Sequence, residues 1–217
     1  MSLENCQADS LLMRRAPPVA LLAAVLLGAP ALAQRVAEKP PALVPAYLPR
    51  EVAFLTFFQN GNITPELRIA WHIPVVQQRI DSLNLIIEGG GGWAVGKRSV
   101  TNENADPPLT ELHQWHILGG IAYEGDWAQG WHVGGRITAG VTIFGGNYVN
   151  PIFGGPPIHE DTSTAGTVEG RLEGGYRVGR VVIGLTIGVA QPWSKDPRLY
   201  SPNDIGGFSG GLFFNWR

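Results

Sequence analysis

The sequence predicts an all-β fold, a transmembrane up-and-down antiparallel β-barrel of eight strands. Three observations carry this. Segments of about ten residues alternate apolar and polar side chains, and they recur eight times. The N-terminus reads as an export signal. The last twelve residues, Gly206 to Arg217, read GGFSGGLFFNWR, with Phe208, Leu212, Phe214 and Trp216 on one parity. Ser209, Gly211, Asn215 and Arg217 fall on the other parity, with Phe213 the exception. Because a strand points alternate residues to opposite faces, this strand suits a wall between lipid and a polar interior.

The N-terminal expectation comes first in chain order. Met13-Arg14-Arg15 precedes an apolar run from Val19 to Leu27, followed by Gly28, Pro30 and Ala31-Leu32-Ala33. A basic start, a short apolar stretch and an A-x-A site mark a signal peptide over residues 1–33, with Met13 as the expected true start. The run is shorter than the roughly 20 residues a spanning helix needs. Residues 34–50 hold Pro40, Pro41, Pro45 and Pro49 and show no period, so they read as an extended periplasmic lead-in. The barrel is expected over 51–217.

Composition narrows the function classes. The only cysteine, Cys6, lies in the segment expected to be removed. A disulfide, a thiolate nucleophile and a cysteine-held metal are therefore not expected in the mature chain. Setting aside Arg14, Arg15, Glu4 and Asp9, the chain carries 14 Lys+Arg against 16 Asp+Glu. That balance argues against nucleic acid as a partner. No apolar run after Ala33 is long enough for a spanning helix, which leaves a closed barrel as the way across a bilayer. The 29 glycines are near twice the usual share of about 7%.

The eight segments follow in order. Val52 to Gln59 sets Leu55 and Phe57 against Phe54 and Phe58, so its faces are ambiguous. Glu66 to Ile73 is clean: Leu67, Ile69, Trp71 and Ile73 oppose Glu66, Arg68, Ala70 and His72. In the third, Leu83, Leu85, Ile87, Trp93 and Val95 oppose Asn84, Glu88, Gly90 and Gly92. In the fourth, Trp115, Ile117, Ile121 and Tyr123 oppose Gln114, His116, Gly120 and Glu124. The fifth sets Trp131, Val133, Ile137, Val141 and Ile143 against His132, Arg136, Thr138 and Thr142. The sixth sets Val168, Leu172, Tyr176 and Val178 against Glu169, Arg171, Glu173 and Arg177. The seventh sets Val181, Ile183, Leu185, Ile187 and Val189 against Gly184, Thr186, Gly188 and Ala190. The C-terminal strand is the eighth.

Linkers and aromatics give independent checks. Links near Gly125 to Gly130 and at Gly179-Arg180 are short, whereas Gly96 to Pro108, Gly145 to Ser163 and Gln191 to Asp204 are long. Short turns at one end and long loops at the other are expected of such a barrel. The first hairpin breaks the pattern. Asn60-Gly61-Asn62 is a tight turn where a long loop is expected, and Pro74 to Ser82 is longer than a turn needs. With odd strands running outward, Trp71, Tyr123, Trp131, Tyr176 and Trp216 fall at the periplasmic rim, and Trp93 and Trp115 at the outer rim. This is the expected aromatic girdle.

On these residues the chain from Val52 to Arg217 resembles the small eight-stranded bacterial outer-membrane barrels of the OmpA/OmpX-like class. The C-terminal strand looks like that class's assembly signal, here with Trp216 penultimate and Arg217 last. The resemblance implies that Phe214 and Trp216 are read by the outer-membrane assembly machinery. It also implies a location in the Gram-negative outer membrane after export, in contact with its lipid.

The candidate chemistry lies inside. Glu66, Arg68, Glu88, Glu124, Arg136, Glu169, Arg171, Glu173 and Arg177 point inward on this assignment. Arg68 is expected close to Glu88. An eight-stranded barrel has room for side chains and none for a wide channel, so these charges must pair. The expected ion-pair network comprises Arg68, Glu88, Arg136, Glu169, Arg171, Glu173 and Arg177. His113 and His116 have an odd offset that puts them on opposite faces of a strand. His116 and His132 both face inward but are expected about six residues apart, near 20 Å, so no metal and no cofactor are expected. Gly91-Gly92-Trp93-Ala94-Val95-Gly96-Lys97 lacks the following Ser or Thr and the helix of a phosphate loop.

Function is expected at the surface. Tyr148, Phe153, Pro156, Pro157, His159, Glu160 and Asp161 in one loop, and Trp193, Lys195, Arg198 and Tyr200 in another, offer contacts for a surface ligand. The expectation is a non-catalytic barrel, not an enzyme, with a structural or surface-interaction role. The alternatives are a narrow porin-like channel for small solutes and a lipid-modifying enzyme using His113 near the outer leaflet. Against the latter, no serine shares the face of His113 within reach: Ser209 faces inward and Ser99 lies in a loop.

Overall fold

The structure is a computed structural model and describes residues 47–59, 62–78, 80–95, 109–148, 159–194 and 205–216. The residues expected to form the signal peptide lie outside the described residues. So do those at the tips of the three long loops, among them Phe153, Pro156, Pro157, Lys195, Arg198 and Tyr200.

The two-residue rhythm builds eight strands: β1 (Glu51–Phe58), β2 (Ile63–Gln77), β3 (Asp81–Trp93), β4 (Leu109–Asp126), β5 (Trp131–Tyr148), β6 (His159–Val178), β7 (Val181–Trp193) and β8 (Gly207–Trp216). Each pairs antiparallel with its sequence neighbours, and β1 closes onto β8 from Glu51↔Asn215 to Phe58↔Phe208. Closure leaves no unpaired sheet edge, the condition for strands to sit in lipid. Among the described residues no helix is long and apolar enough to cross a membrane.

The wall faces outward as the alternation requires. Leu185, Ile187, Ile117 and Phe208 are each more than three-fifths exposed, whereas Glu169 and Arg171 are fully buried. Leu172 and Ile183 lie on the outer face. A water-soluble barrel would show the reverse arrangement. The chain is a closed eight-stranded antiparallel barrel with an apolar outer face.

Short links gather at one end: residues 78–80, the single turn Ala128–Gly130 that precedes β5, and Gly179-Arg180. Gly179 takes φ +64°, a left-handed conformation that glycine adopts at no steric cost. At the other end run the long loops and the tight link between Gln59 and Asn62, closed by Gln59 N donating to Asn62 O at 3.0 Å. We call these the turn end and the loop end.

The structure corrects the second link. Pro74 to Ser82 is not a long connection, because β2 runs on to Gln77. Pro74 has no N–H to give the ladder, and the register slips by one residue between Pro74 and Val76. Val75 is the extra residue of a bulge. The slip breaks the alternation locally, which is why the segment reads as a loop. Past it, Val76 again pairs with Leu83, and both face outward. The second and third long loops are shorter than expected, since β5 reaches Tyr148, β6 begins at His159 and β7 reaches Trp193.

Candidate functional site

The site is the barrel interior. Antiparallel register aims Glu66 and Arg68 of β2, Glu88 of β3, Arg136 of β5, and Glu169 and Arg171 of β6 at one another. Arg68 donates to Glu66 at 2.9 Å, to Glu88 at 2.6 Å and to Glu169 at 2.7 Å. Arg136 reaches Glu88 at 3.1 Å and also pairs with Glu51 and Glu173. Arg171 pairs with Glu88, and with Glu169 at 3.1 Å. The Glu88 carboxylate thus takes a bond from each of three guanidiniums that enter from three strands. All these side chains are essentially inaccessible to solvent.

Three long side chains share a narrow lumen only where the neighbouring strand gives way. Arg171 lies across from Gly188, and a Cβ there would sit 2.5 Å from Arg171 Cγ. Arg68 lies across from Gly90, where a Cβ would be 2.8 Å from Arg68 Cγ. The glycines at these positions are the complement of the arginines.

Hydrogen bonds extend the network toward both ends. At the turn end His72 holds Glu124 through Nδ1 at 2.6 Å and stands 3.4 Å from Glu51 through Nε2. Asn215 Nδ2 donates to Glu124 at 3.3 Å. At the rim His132 Nδ1 lies 3.1 Å from Asp126, which also pairs with Arg177. Toward the loop end His116 bridges Glu66 (Nε2, 3.1 Å) and Thr142 Oγ1 (Nδ1, 2.8 Å). Thr142 in turn meets Thr167 Oγ1 at 2.6 Å. Gln114 donates to Glu66, Gln59 to Gln114 at 2.9 Å, and Thr64 to Gln59 at 2.7 Å. Phe57 stacks on His116 with centroids 6.0 Å apart, and the Arg68 guanidinium lies 5.1 Å from its ring. Leu112, Phe144, Ala165 and Ile205 form an apolar layer at the loop end.

Six of the seven residues expected in the ion-pair network come together: Arg68, Glu88, Arg136, Glu169, Arg171 and Glu173. Arg177 does not. It shares their parity but lies at the turn-end rim, half-buried against Asp126. Sequence reasoning missed Glu51, which precedes the segment assigned to the first strand. Its parity partners Ala53, Leu55 and Phe57 are apolar and also buried, so no polar face announced it. With Glu51 in and Arg177 out, the interior is not near neutral. Six buried glutamates on the inward parity face three inward arginines; Arg50 is also buried, on the outer parity.

The aromatics divide between the ends. Trp131 and Tyr176 meet edge to face at 5.7 Å at the turn end, and the Trp71 indole donates to Tyr47 O at 3.3 Å. Tyr123 and Trp216 lie on the same outer face. Trp93 and Trp115 meet edge to face at 5.4 Å toward the loop end. Phe214 packs edge to face on Phe54 across the closing seam at 6.4 Å. His116 and His132 stand ten residues apart in register, not six, because the β4–β5 turn is centred near Gln129. Among the described residues no three His, Cys, Asp or Glu side chains are grouped to hold a metal.

No protein-family model matches the chain, and no curated protein matches it. Among solved structures, a crystal structure of the outer membrane enzyme PagL is similar, at 20% identity and a TM-score of 0.44, covering 76% of this chain and 97% of that one. The expectation that this chain is not an enzyme is overturned by that finding.

Proposed function

We propose that the protein is a sealed barrel of the bacterial outer membrane, exported with loss of residues 1–33, whose contacts with the outside run through its loop end. On this reading the apolar wall meets outer-membrane lipid, the assembly machinery reads Phe214 and Trp216, and the aromatic pairs sit at the two interfaces. One observation carries the sealed lumen: Glu88 ties Arg68, Arg136 and Arg171 across the interior. A solute passing through would have to part a fully buried, multiply paired network, which is costly. Planar-bilayer recording tests this at pH 7. Silence across a wide voltage range is expected, and steady conductance of folded protein would overturn it.

A second reading, hydrolysis of an acyl ester, is favoured by the order Thr142–His116–Glu66. A hydroxyl bonded to an imidazole that is held by a carboxylate is the arrangement of an activated nucleophile. Thr142 Oγ1 would attack the ester carbonyl while its proton passes to His116, which returns it to the departing alcohol; water then releases the acyl group. Release of nitrophenol from a p-nitrophenyl ester, lost in Thr142→Val, supports this reading. No release by the folded wild type removes it.

A further inference from the structure

The interior holds more negative than fixed positive charge. Around the lumen and its turn-end rim, the described residues supply seven carboxylates: the six buried glutamates and Asp126. The guanidiniums supply four charges, from Arg68, Arg136, Arg171 and Arg177. Three imidazoles stand among them, and each touches a carboxylate. By the alternation Arg50, itself buried, and Asp81 fall on the outer parity, so the balance is taken over the inward side chains.

We propose that the lumen is a proton-loaded plug, which holds three protons beyond its guanidinium charges and loosens as rising pH takes them away. The inference rests on the sealed-lumen reading. An interior this closed to solvent does not tolerate three unpaired negative charges. With the guanidiniums fixed, neutrality requires three protons. The count is the same whether they sit on imidazoles or on carboxyls.

Each histidine faces a carboxylate. His72 faces Glu51 of β1 and Glu124 of β4, the latter also held by Asn215 of β8. Arg136 of β5 reaches the same Glu51. His116 faces Glu66 and Arg68 of β2, Phe57 of β1 and Thr142 of β5. His132 faces Asp126 of β4, Glu173 of β6 and Phe213 of β8, with Arg177 beyond Asp126.

In water an imidazole releases its proton near pH 6.5 and a glutamic acid near about 4.3. The unfolded chain at pH 8 therefore holds almost none of the three protons. Where the folded state binds more protons, stability falls as pH rises. The plug is tightest toward acid and weakens toward alkali.

The test is equilibrium unfolding of the full folded protein in urea with lipid vesicles, from pH 6 to 9. The urea midpoint is expected to fall with rising pH. The logarithm of the unfolding constant should climb by up to about three per pH unit at its steepest. Glu124→Gln removes one surplus carboxylate and should lower that slope by about one. It should also raise the midpoint at pH 9 above wild type, the reverse of what loss of an ordinary ion-pair partner does. Glu173→Gln serves the same purpose if Glu124→Gln does not fold. A wild-type midpoint flat across this range overturns the inference, as does a slope unchanged in a variant that folds. Steady conductance at pH 7 would sink the sealed-lumen reading; silence with a flat midpoint would sink only this one.

Discussion

Strands β2 to β6 line the lumen with charge, whereas β7 and β8 line it with no charged side chain. Inward positions on β7 are Val182, Gly184, Thr186, Gly188 and Ala190, and those on β8 are Ser209, Gly211, Phe213 and Asn215. Val182 and Phe213 pack with Ala53, Leu55 and Phe57 of β1 into the largest apolar cluster of the interior. The two walls are halves of one design. Guanidiniums from β2, β5 and β6 are long, and the strands beside Arg68 and Arg171 carry glycine where those side chains leave the sheet. The apolar cluster of β1, β7 and β8 excludes water from the ion pairs and so strengthens them. It also makes an unpaired charge there expensive.

The contrast is broken most directly at Glu88. Glu88→Ala leaves three buried guanidiniums each short of a partner. Removing one partner of a buried pair costs about 3–5 kcal/mol. We expect the variant either to unfold in urea at a midpoint lowered by that much stability or to fail to reach the heat-resistant folded form on a gel. Arg171→Met added to Glu88→Ala should recover part of the loss, because without Glu88 the Arg171 guanidinium keeps only its 3.1 Å pair with Glu169 among the ion pairs described. A single variant as stable as wild type would show that the charged wall contributes nothing to holding the barrel.

A smaller effect tests the glycine beside Arg171. Gly188→Val places a Cβ 2.5 Å from Arg171 Cγ, and both Ser209 Oγ and the Gly170 carbonyl lie within 3.0 Å of the same point. The backbone carbonyl cannot swing aside, and the arginine can do so only by leaving Glu88. Overpacking of this kind costs about 1–3 kcal/mol, read as a lowered urea midpoint. The same change at Gly166, where a Cβ meets nothing within 4 Å, should leave the midpoint within about 0.5 kcal/mol of wild type.

These two walls were unequally legible in the sequence. β2 reads cleanly because Leu67, Ile69, Trp71 and Ile73 oppose Glu66, Arg68 and His72, so the pleat alone sorts lipid from lumen. β1 does not, because its inward Ala53, Leu55 and Phe57 are as apolar as its outward Phe54 and Phe58. Phe213, the exception in the C-terminal alternation, belongs to the same apolar cluster and fills the space left by Gly184, where a Cβ would come 2.5 Å from its ring. Periodicity reports two faces but not which partners meet across a cylinder. Arg68 near Glu88 followed from one hairpin. The convergence of Arg136 and Arg171 on the same carboxylate needs the barrel to close, since they arrive from the far side. Pro74 hid the rest of β2 because one bulged residue reverses the parity on which the reading depends.

The weakest expected effect lies at the rim, where the two regimes meet water. Arg177 pairs with Asp126 as the buried arginines pair with glutamates, but its side chain is 22% exposed and that of Asp126 is 15% exposed. Water reaches both groups, so each keeps part of its hydration when the partner is removed. Exposed pairs contribute about 0–1 kcal/mol, and Asp126 retains His132 at 3.1 Å when Arg177 is lost. Arg177→Ala should therefore lower the urea midpoint by less than about 1 kcal/mol at low salt, and by less still at 1 M salt, where screening acts within about 3 Å. Arg171→Ala in the same assay should cost several times more and change little with salt, since ions do not enter the sealed lumen. Equal costs and equal salt dependence for the two arginines would mean that water reaches the interior as freely as the rim, and that the lumen is open.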